Sequence, residues 1–472
     1  MKKIAVAKGD GIGPEIMDAT LHIFNELNIP LKYEFVDINK ENGLSDSAKV
    51  VVEELGILFK GPMETPKGKG ARSLNVTARK MWATYANCRV FKTLPGVETI
   101  YSKANIPINL TIIRENLEDT YGGVEHLINP DLAVSRRFTS VPGAYQIHKY
   151  AFEYAKANGI ASVVCGHKAN IMKLTDGLFL EVFYEVAKNY PEIKASDVIV
   201  DDLCMKMVTI PDKYELIVLP NLQGDIVSDL CAGLVGGLGF APSANIGDNV
   251  NIFEAVHGTA PDIAGQNKAN PTALLLSGLM MLNHFGFAVE AKKIEIAMLQ
   301  ALKNKIHTAD LKISNNPVGT KEYATEIAKI AKTIPNDHPE LKGISNFEPK
   351  EKKASIITKP EILISSTTKS TPVGIDVFVE SNEDADKIAK TVISLLPKNY
   401  TLEVISNRGI SVYPTFSKFT QCINSYIVRI KKSSSTTEKE LLELAVILSS
   451  ELKVLSLEIL KDYDGRIGYS AI

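Results

Sequence analysis

Residues 4–27 read IAVAKGDGIGPEIMDATLHIFNEL. The four apolar residues 4–7 suit a buried strand, a glycine-rich turn follows, and residues 14–27 repeat their apolar positions at helical spacing. The turn Gly9-Asp10-Gly11-Ile12-Gly13-Pro14-Glu15 stands where a dinucleotide-binding glycine loop would, but Pro14 breaks the G-x-G-x-x-G spacing. A tight strand-to-helix turn with proline at the first helical position is the simpler reading.

Moving outward, the same unit recurs. Short apolar runs at 33–36, 57–59, 110–113, 162–165, 198–200 and 216–219 read as strands, and residues 48–55, 148–157, 178–188 and 225–234 read as helices. Such alternation predicts an α/β architecture through about residue 345, with helices covering largely parallel strands. From 350 to 371 the chain turns rich in Lys, Ser, Thr and Pro, the composition of a solvated linker. Residues 372–472 then run strand, helix, strands, helix, strand, the order of a ferredoxin-like α+β domain.

Composition is that of a globular protein, with 45% hydrophobic and 23% charged residues among 472. A formal charge of −2 offers no general attraction to nucleic acid or to an anionic membrane. Five scattered cysteines form no CxxC pair, which argues against a disulfide framework or structural zinc. The apolar run after Met1-Lys2-Lys3 stops at Lys8, too short for a signal peptide, and no apolar stretch reaches the ~18 residues of a membrane span. A cytoplasmic location is expected.

Local charge is more telling. Four of the nine arginines, Arg72, Arg79, Arg89 and Arg114, fall between residues 72 and 114. Ser73 precedes a predicted helix over 75–81, and Asn75 and Arg79 stand four apart on one face of it. Hydroxyl, amide and guanidinium groups near a helix start suit a carboxylate or phosphate, although a capped, solvated helix uses the same residues. Arg89 follows an alternating run and Arg114 ends the 110–113 strand, a placement that lines the ligand crevice of doubly wound sheets. Together the arginines imply a small molecule with several negative charges.

Tyr121 and Lys168 are candidates for proton transfer, Lys168 lying just past a predicted strand. Asp225 and Asp229 share one helix face, and Asp201 ends the 198–200 strand. An all-oxygen set without nearby cysteine favours Mg²⁺ or Mn²⁺. The loop His257-Gly258-Thr259-Ala260-Pro261-Asp262-Ile263, followed by Asn270, lets backbone approach a nucleotide. Asp262 there could bond a ribose diol and would repel a 2′-phosphate.

In this order the segments resemble the β-decarboxylating dehydrogenases of isocitrate, isopropylmalate and homoisocitrate, from about residue 4 to 344. The resemblance implies a two-domain isocitrate/isopropylmalate dehydrogenase-like fold, with a large domain over 1–85 and 236–345 and a small dimerisation domain over 86–235. The linker and tail make the chain similar to bacterial members with a C-terminal extension. Ser73 and Asn75 are similar to the isocitrate branch, where they hold the extra carboxylate; the isopropylmalate branch has leucines. On this resemblance Arg79, Arg89 and Arg114 clamp carboxylates, and Asp201, Asp225 and Asp229 hold the metal. Tyr121 and Lys168 transfer protons, while Thr65, residues 257–263 and Asn270 contact the nucleotide. Lys168 and Asp201 would cross from the neighbouring subunit, which implies a homodimer with shared sites. NADP-using isocitrate relatives commonly carry Lys-Tyr where this chain has Asp262-Ile263, and no arginine lies between His307 and Arg408, so NAD is expected over NADP. A different hydroxy acid, or a non-catalytic regulatory subunit of the same fold, are the competing readings.

Overall fold

The computed structural model describes residues 1–64, 73–311, 314–346, 368–414 and 420–470. Thr65, Arg72 and most of the expected 350–371 linker lie outside the described residues. The chain forms two compact units, one of Met1–Gly122, Phe138–Asn170 and Asp176–Pro360, the other of Gly123–Arg137, Ile171–Thr175 and Glu361–Ile472.

The first unit is built on one ten-stranded sheet. In spatial order its strands are Lys194–Ile199, Ser162–His167, Leu216–Leu219, Asn109–Glu115, Ala86–Lys92, Pro242–Ile246, Asn251–Ala255, Ile57–Lys60, Lys2–Ala7 and Leu31–Phe35. The outer pairs are parallel, as the alternation predicts. The three central pairs are antiparallel. The sheet is thus largely parallel, as expected, but the antiparallel centre was not foreseen, and it matters because it carries Arg89 and Glu254. Leu216–Leu219 is buried along its whole length because helices cover both faces, so it shows no alternation.

The glycine loop is the structural turn expected. Gly9 and Gly11 have φ of +73° and +59°, and a Cβ on either would lie 2.2 Å from Pro62 O or 2.1 Å from Thr259 O. Helix Gly13–Glu26 follows, with Pro14 in its first turn. The loop therefore braces neighbouring backbone, and Ile12 N–H donates to Thr259 O at 2.8 Å.

The second unit holds an antiparallel sheet in the order Ile410–Tyr413, Tyr400–Asn407, Ser425–Lys432, Ser370–Glu380, Lys453–Tyr463, Arg466–Ile467. Its four long strands have the ferredoxin-like order, with a short strand added at each edge. Helices Ala385–Leu395 and Glu438–Leu448 cover one face over a core of Ile375, Val377, Val428, Ile430 and Leu441. On the alternate positions Arg429 and Asp376 form two 2.7 Å bonds, so the charge buried there is paired.

Candidate active site

The Asn221–Leu234 helix starts four residues before the predicted 225–234, so Asp225 and Asp229 sit inside it. Asp225 is the hub. One oxygen accepts from Arg114 Nη1, and the other accepts the Tyr121 O–H at 2.7 Å. Arg114 is 1% exposed, bonds Asn221 Oδ1 at 2.7 and 3.0 Å, and lies 4.9 Å from the Tyr121 ring centre. Arg89 reaches both Asp225 and Asp229 at 3.5 Å and donates to Ser228 Oγ at 2.6 Å. It belongs to the middle of the Ala86–Lys92 strand, not to a sheet end, which corrects its predicted placement. Arg114 likewise lies within Asn109–Glu115, one residue before its end.

Charge explains the protonation states. Burial pulls Arg89 down to about 10, helped by repulsion from Arg114 and Arg79 and opposed by Asp225 and Asp229, so it stays charged at neutral pH. Burial works against the Asp225 charge, but Arg114, Tyr121, Arg89 and Arg79 outweigh it and hold the carboxyl below its usual range. Asp229 lies above its usual range because burial and Asp225 exceed the pull of Arg89. Burial and the bond to Asp225 raise Tyr121, which keeps the phenol protonated.

Arg79 is placed from below. It donates to Glu254 Oε1 at 3.0 Å, and Lys60 pairs with the other oxygen. Burial alone would raise Glu254, but Lys60 and Arg79 hold it far below the ordinary carboxylate range. Lys60 and Glu254 had no assigned role in the sequence reading. Their signal was a single charge in each of two short strands, after the apolar run of Ile57–Lys60 and within the Asn251–Ala255 sequence NIFEA.

A cavity of about 110 Å³ joins this group to the start of the 257–263 loop, lined by Asn75, Arg79, Arg89, Glu254, His257 and Gly258 among others. Asn75 Oδ1, Arg79 Nε and His257 Nε2 are buried there without a hydrogen-bond partner among the described residues. Such atoms call for a ligand. Asn75 and Arg79 thus share a helix face as predicted, in Leu74–Met81, with Ser73 at its N-cap position. The loop turns at Ala260, with φ of +37°, into the short helix Pro261–Ile263, where Asp262 is exposed. Asn270 bonds Asp310 at 2.9 Å and accepts from Thr272 N–H at 3.0 Å, closing the start of the Thr272–His284 helix.

Lys168 and Asp201 form a pair of their own. Lys168 follows the Ser162–His167 strand directly. Asp201 does not end a strand: its strand stops at Ile199, and Asp201 lies in the first turn of helix Val200–Thr209. Among the described residues no three acid, histidine or cysteine side chains gather as a metal site. One chain therefore supplies Asp225 and Asp229 together and Asp201 apart. Their oxygens suit a hard divalent cation, and the side chain of Asp229 is 60% exposed and open to one.

A family model described as isocitrate/isopropylmalate dehydrogenase matches residues 3–327, and one described as the C-terminal domain of bacterial isocitrate dehydrogenase matches residues 370–472. The chain is 38% identical over 480 residues to isocitrate dehydrogenase (NADP) of Thermus thermophilus, covering 99% of this chain and 95% of that protein. It is 45% identical over 331 residues to a mitochondrial regulatory subunit of isocitrate dehydrogenase (NAD) from Dictyostelium discoideum, covering 70% of this chain and 92% of that one. A crystal structure of a Thermus thermophilus protein is similar with a TM-score of 0.90 and 37% identity, covering 99% of this chain and 95% of that chain.

Proposed function

The chain belongs to the isocitrate/isopropylmalate dehydrogenase family, and we propose that its reaction is the oxidative decarboxylation of isocitrate to 2-oxoglutarate and CO₂ with reduction of NADP. The observation that carries this reading is the convergence of Arg79, Arg89 and Arg114 on the Asp225–Asp229 face. Three guanidinium groups meet two carboxylates there, while Glu254 is offset by Lys60, so positive charge is in excess and a polycarboxylate fits. Asn75, whose Oδ1 is buried without a partner among the described residues, offers a polar group for a third carboxylate beside Ser73, where an isopropyl side chain would leave that amide unpaired.

Asp225, Asp229 and Asp201 of the partner subunit would hold Mg²⁺ or Mn²⁺, which supplies Lewis acidity at the substrate hydroxyl and carbonyl oxygens. Residues 257–263 and Asn270 would hold the nucleotide, which accepts the hydride. Arg79, Arg89 and Arg114 bind and orient the carboxylates, and the burial of Arg89 and Arg114 keeps their contacts strong. Lys168 of the partner subunit serves the hydroxyl proton. Tyr121, kept protonated beside Asp225, returns a proton to carbon after CO₂ leaves.

The separation of Asp201 from Asp225 and Asp229 supports reading the protein as a homodimer with shared sites. Support comes from exposed apolar residues on the two helices concerned, Met205 (52%), Val208 (48%), Leu222 (39%) and Ile226 (60%). Mixing Lys168→Met and Asp229→Asn proteins, at a limiting Mn²⁺ concentration that leaves each with little activity alone, raises activity after subunit exchange if the sites are shared, and no gain refutes sharing.

The cofactor preference is revised from NAD to NADP. The case for NAD rested on Asp262-Ile263 standing in place of Lys-Tyr, on the lack of arginine between His307 and Arg408, and on Asp262 repelling a 2′-phosphate; that carboxylate is exposed. In water such repulsion falls to about 1 kcal/mol at close range, against several when buried. The full-length Thermus relative bears the NADP name. NAD remains the second reading, favoured by the negative charge of Asp262. The scattered cysteines support a cytoplasmic setting. Following 340 nm absorbance with isocitrate, Mn²⁺ and either dinucleotide tests both points: no turnover with isocitrate removes the function, and a higher kcat/KM with NAD removes the NADP assignment.

A further inference from the structure

We propose that His167, Asp197 and Tyr184 are positioning residues for Lys168, a role that rests on reading Lys168 as a proton-transfer group. The backbone on both sides of the Lys168 side chain is captured. Its own N–H donates to Asp176 Oδ2 at 2.6 Å, and the next N–H, that of Ala169, donates to His167 Nδ1 at 3.0 Å. An amide pointing at Nδ1 settles the tautomer, because that nitrogen must carry a lone pair and the ring proton must sit on Nε2. From Nε2 the proton is donated to Asp197 Oδ2, 2.9 Å away. The other Asp197 oxygen accepts the Tyr184 O–H. Burial acts against the Asp197 charge, yet the Tyr184 and His167 bonds hold the carboxyl below its usual range.

Three elements thus converge on one loop residue. His167 ends the Ser162–His167 strand, Asp197 lies in the neighbouring Lys194–Ile199 strand, and Tyr184 belongs to helix Thr175–Ala187. A second tie runs to the metal acids. Asp176, with no exposed surface, also accepts from Gln223 Nε2 at 2.9 Å, and Gln223 stands in the helix that carries Asp225 and Asp229. Lysine is long and loses about 2 kcal/mol of rotamer entropy when held, so a fixed backbone leaves only its side-chain torsions to order. Proton transfer is sensitive to misplacement by about 1 Å. His167 is 4% exposed and spends both nitrogens on this scaffold, so it acts through Lys168 and not on substrate.

The test uses the purified full chain with isocitrate, Mg²⁺ and NADP, and the variants His167→Leu, His167→Asn and Tyr184→Phe. An asparagine oxygen reaches the position of Nδ1 and can still accept the Ala169 N–H. His167→Leu is expected to lower kcat by about 10- to 100-fold while the isocitrate KM moves less than about threefold. His167→Asn restores most of kcat, and Tyr184→Phe lowers it at least about twofold with KM unchanged. A structural defect alone would lower the active fraction and thermal stability in the same proportion for the leucine and asparagine variants. Unchanged kcat in His167→Leu, or an asparagine variant no better than the leucine one, overturns the proposal. If His167→Leu does not fold, Tyr184→Phe decides, and wild-type kcat there is a refutation. A wild-type protein inactive on isocitrate would remove the dehydrogenase reading and the relay with it, whereas active wild type with indifferent variants removes the relay alone.

Discussion

Lys60 and Glu254 are register partners on adjacent parallel strands next to the antiparallel centre of the sheet, each at most 4% exposed, and their ion pair supports Arg79 from beneath. Neither charge tolerates the loss of the other, because water cannot replace the missing partner.

Glu254→Gln is accordingly expected to lower unfolding stability by about 3–5 kcal/mol, since Lys60 and Arg79 are left without their carboxylate. Adding Lys60→Met should regain part of the loss. Urea denaturation measures both, and a loss below about 1 kcal/mol would show that the pair is not a unit.

Tyr121→Phe deletes the O–H that Asp225 accepts while keeping the ring against Arg114. The expected result is a fall in kcat of about 100-fold or more with a small change in isocitrate KM. Steady-state kinetics decide it; a KM effect without a kcat effect would make Tyr121 a binding residue.

Chelation by EDTA should abolish turnover, and Mn²⁺ or Mg²⁺ should restore it. Asp229→Asn keeps the shape of an exposed side chain but removes its charge, so the apparent Mn²⁺ affinity should weaken by about tenfold or more. Metal titration of activity gives the number, and full activity in EDTA would refute the divalent site.

Glu115, buried beside Arg114, accepts from Leu117 and Glu118 N–H groups, yet burial pushes its carboxyl up to about 7. A raised carboxyl stabilises the fold below its unfolded value near 4.5, and that contribution is lost as pH rises through about 7. Glu115→Gln should therefore gain on the wild type between pH 5 and 8, by up to about 3 kcal/mol. Parallel stability curves across that range would contradict the assignment.

The parallel strands and helices such as Gly13–Glu26, Asp46–Leu55 and Asn221–Leu234 were legible because continuous apolar runs and 3.6-residue periodicity mark them directly, whereas Val200–Thr209, Thr272–His284, Ala288–Lys303 and Thr320–Thr333 were not assigned. Strands Ala86–Lys92, Pro242–Ile246 and Asn251–Ala255 were not legible, since Arg89, Glu254 and Asn245, whose Nδ2 donates to Glu254 Oε1 at 2.7 Å, interrupt their apolar pattern. The hairpin Asp119–Asn129 with Leu132–Phe138 also escaped, its exposed faces leaving no core signal. The strength of the repulsion expected from Asp262 depended on its burial, a property a sequence does not carry.

By itself the sequence determined which chemical groups were present and which were close along the chain: Asn75 with Arg79, Asp225 with Asp229, each one helical turn apart. Tertiary structure decided that Arg89 reaches Asp229 across 140 residues, that Glu254 holds Arg79 across 175, and that Asp201 stays with Lys168. Helical spacing is a local rule that residue order satisfies alone. Coulomb attraction and desolvation depend on distance and burial in space, and those are set by strand order and register.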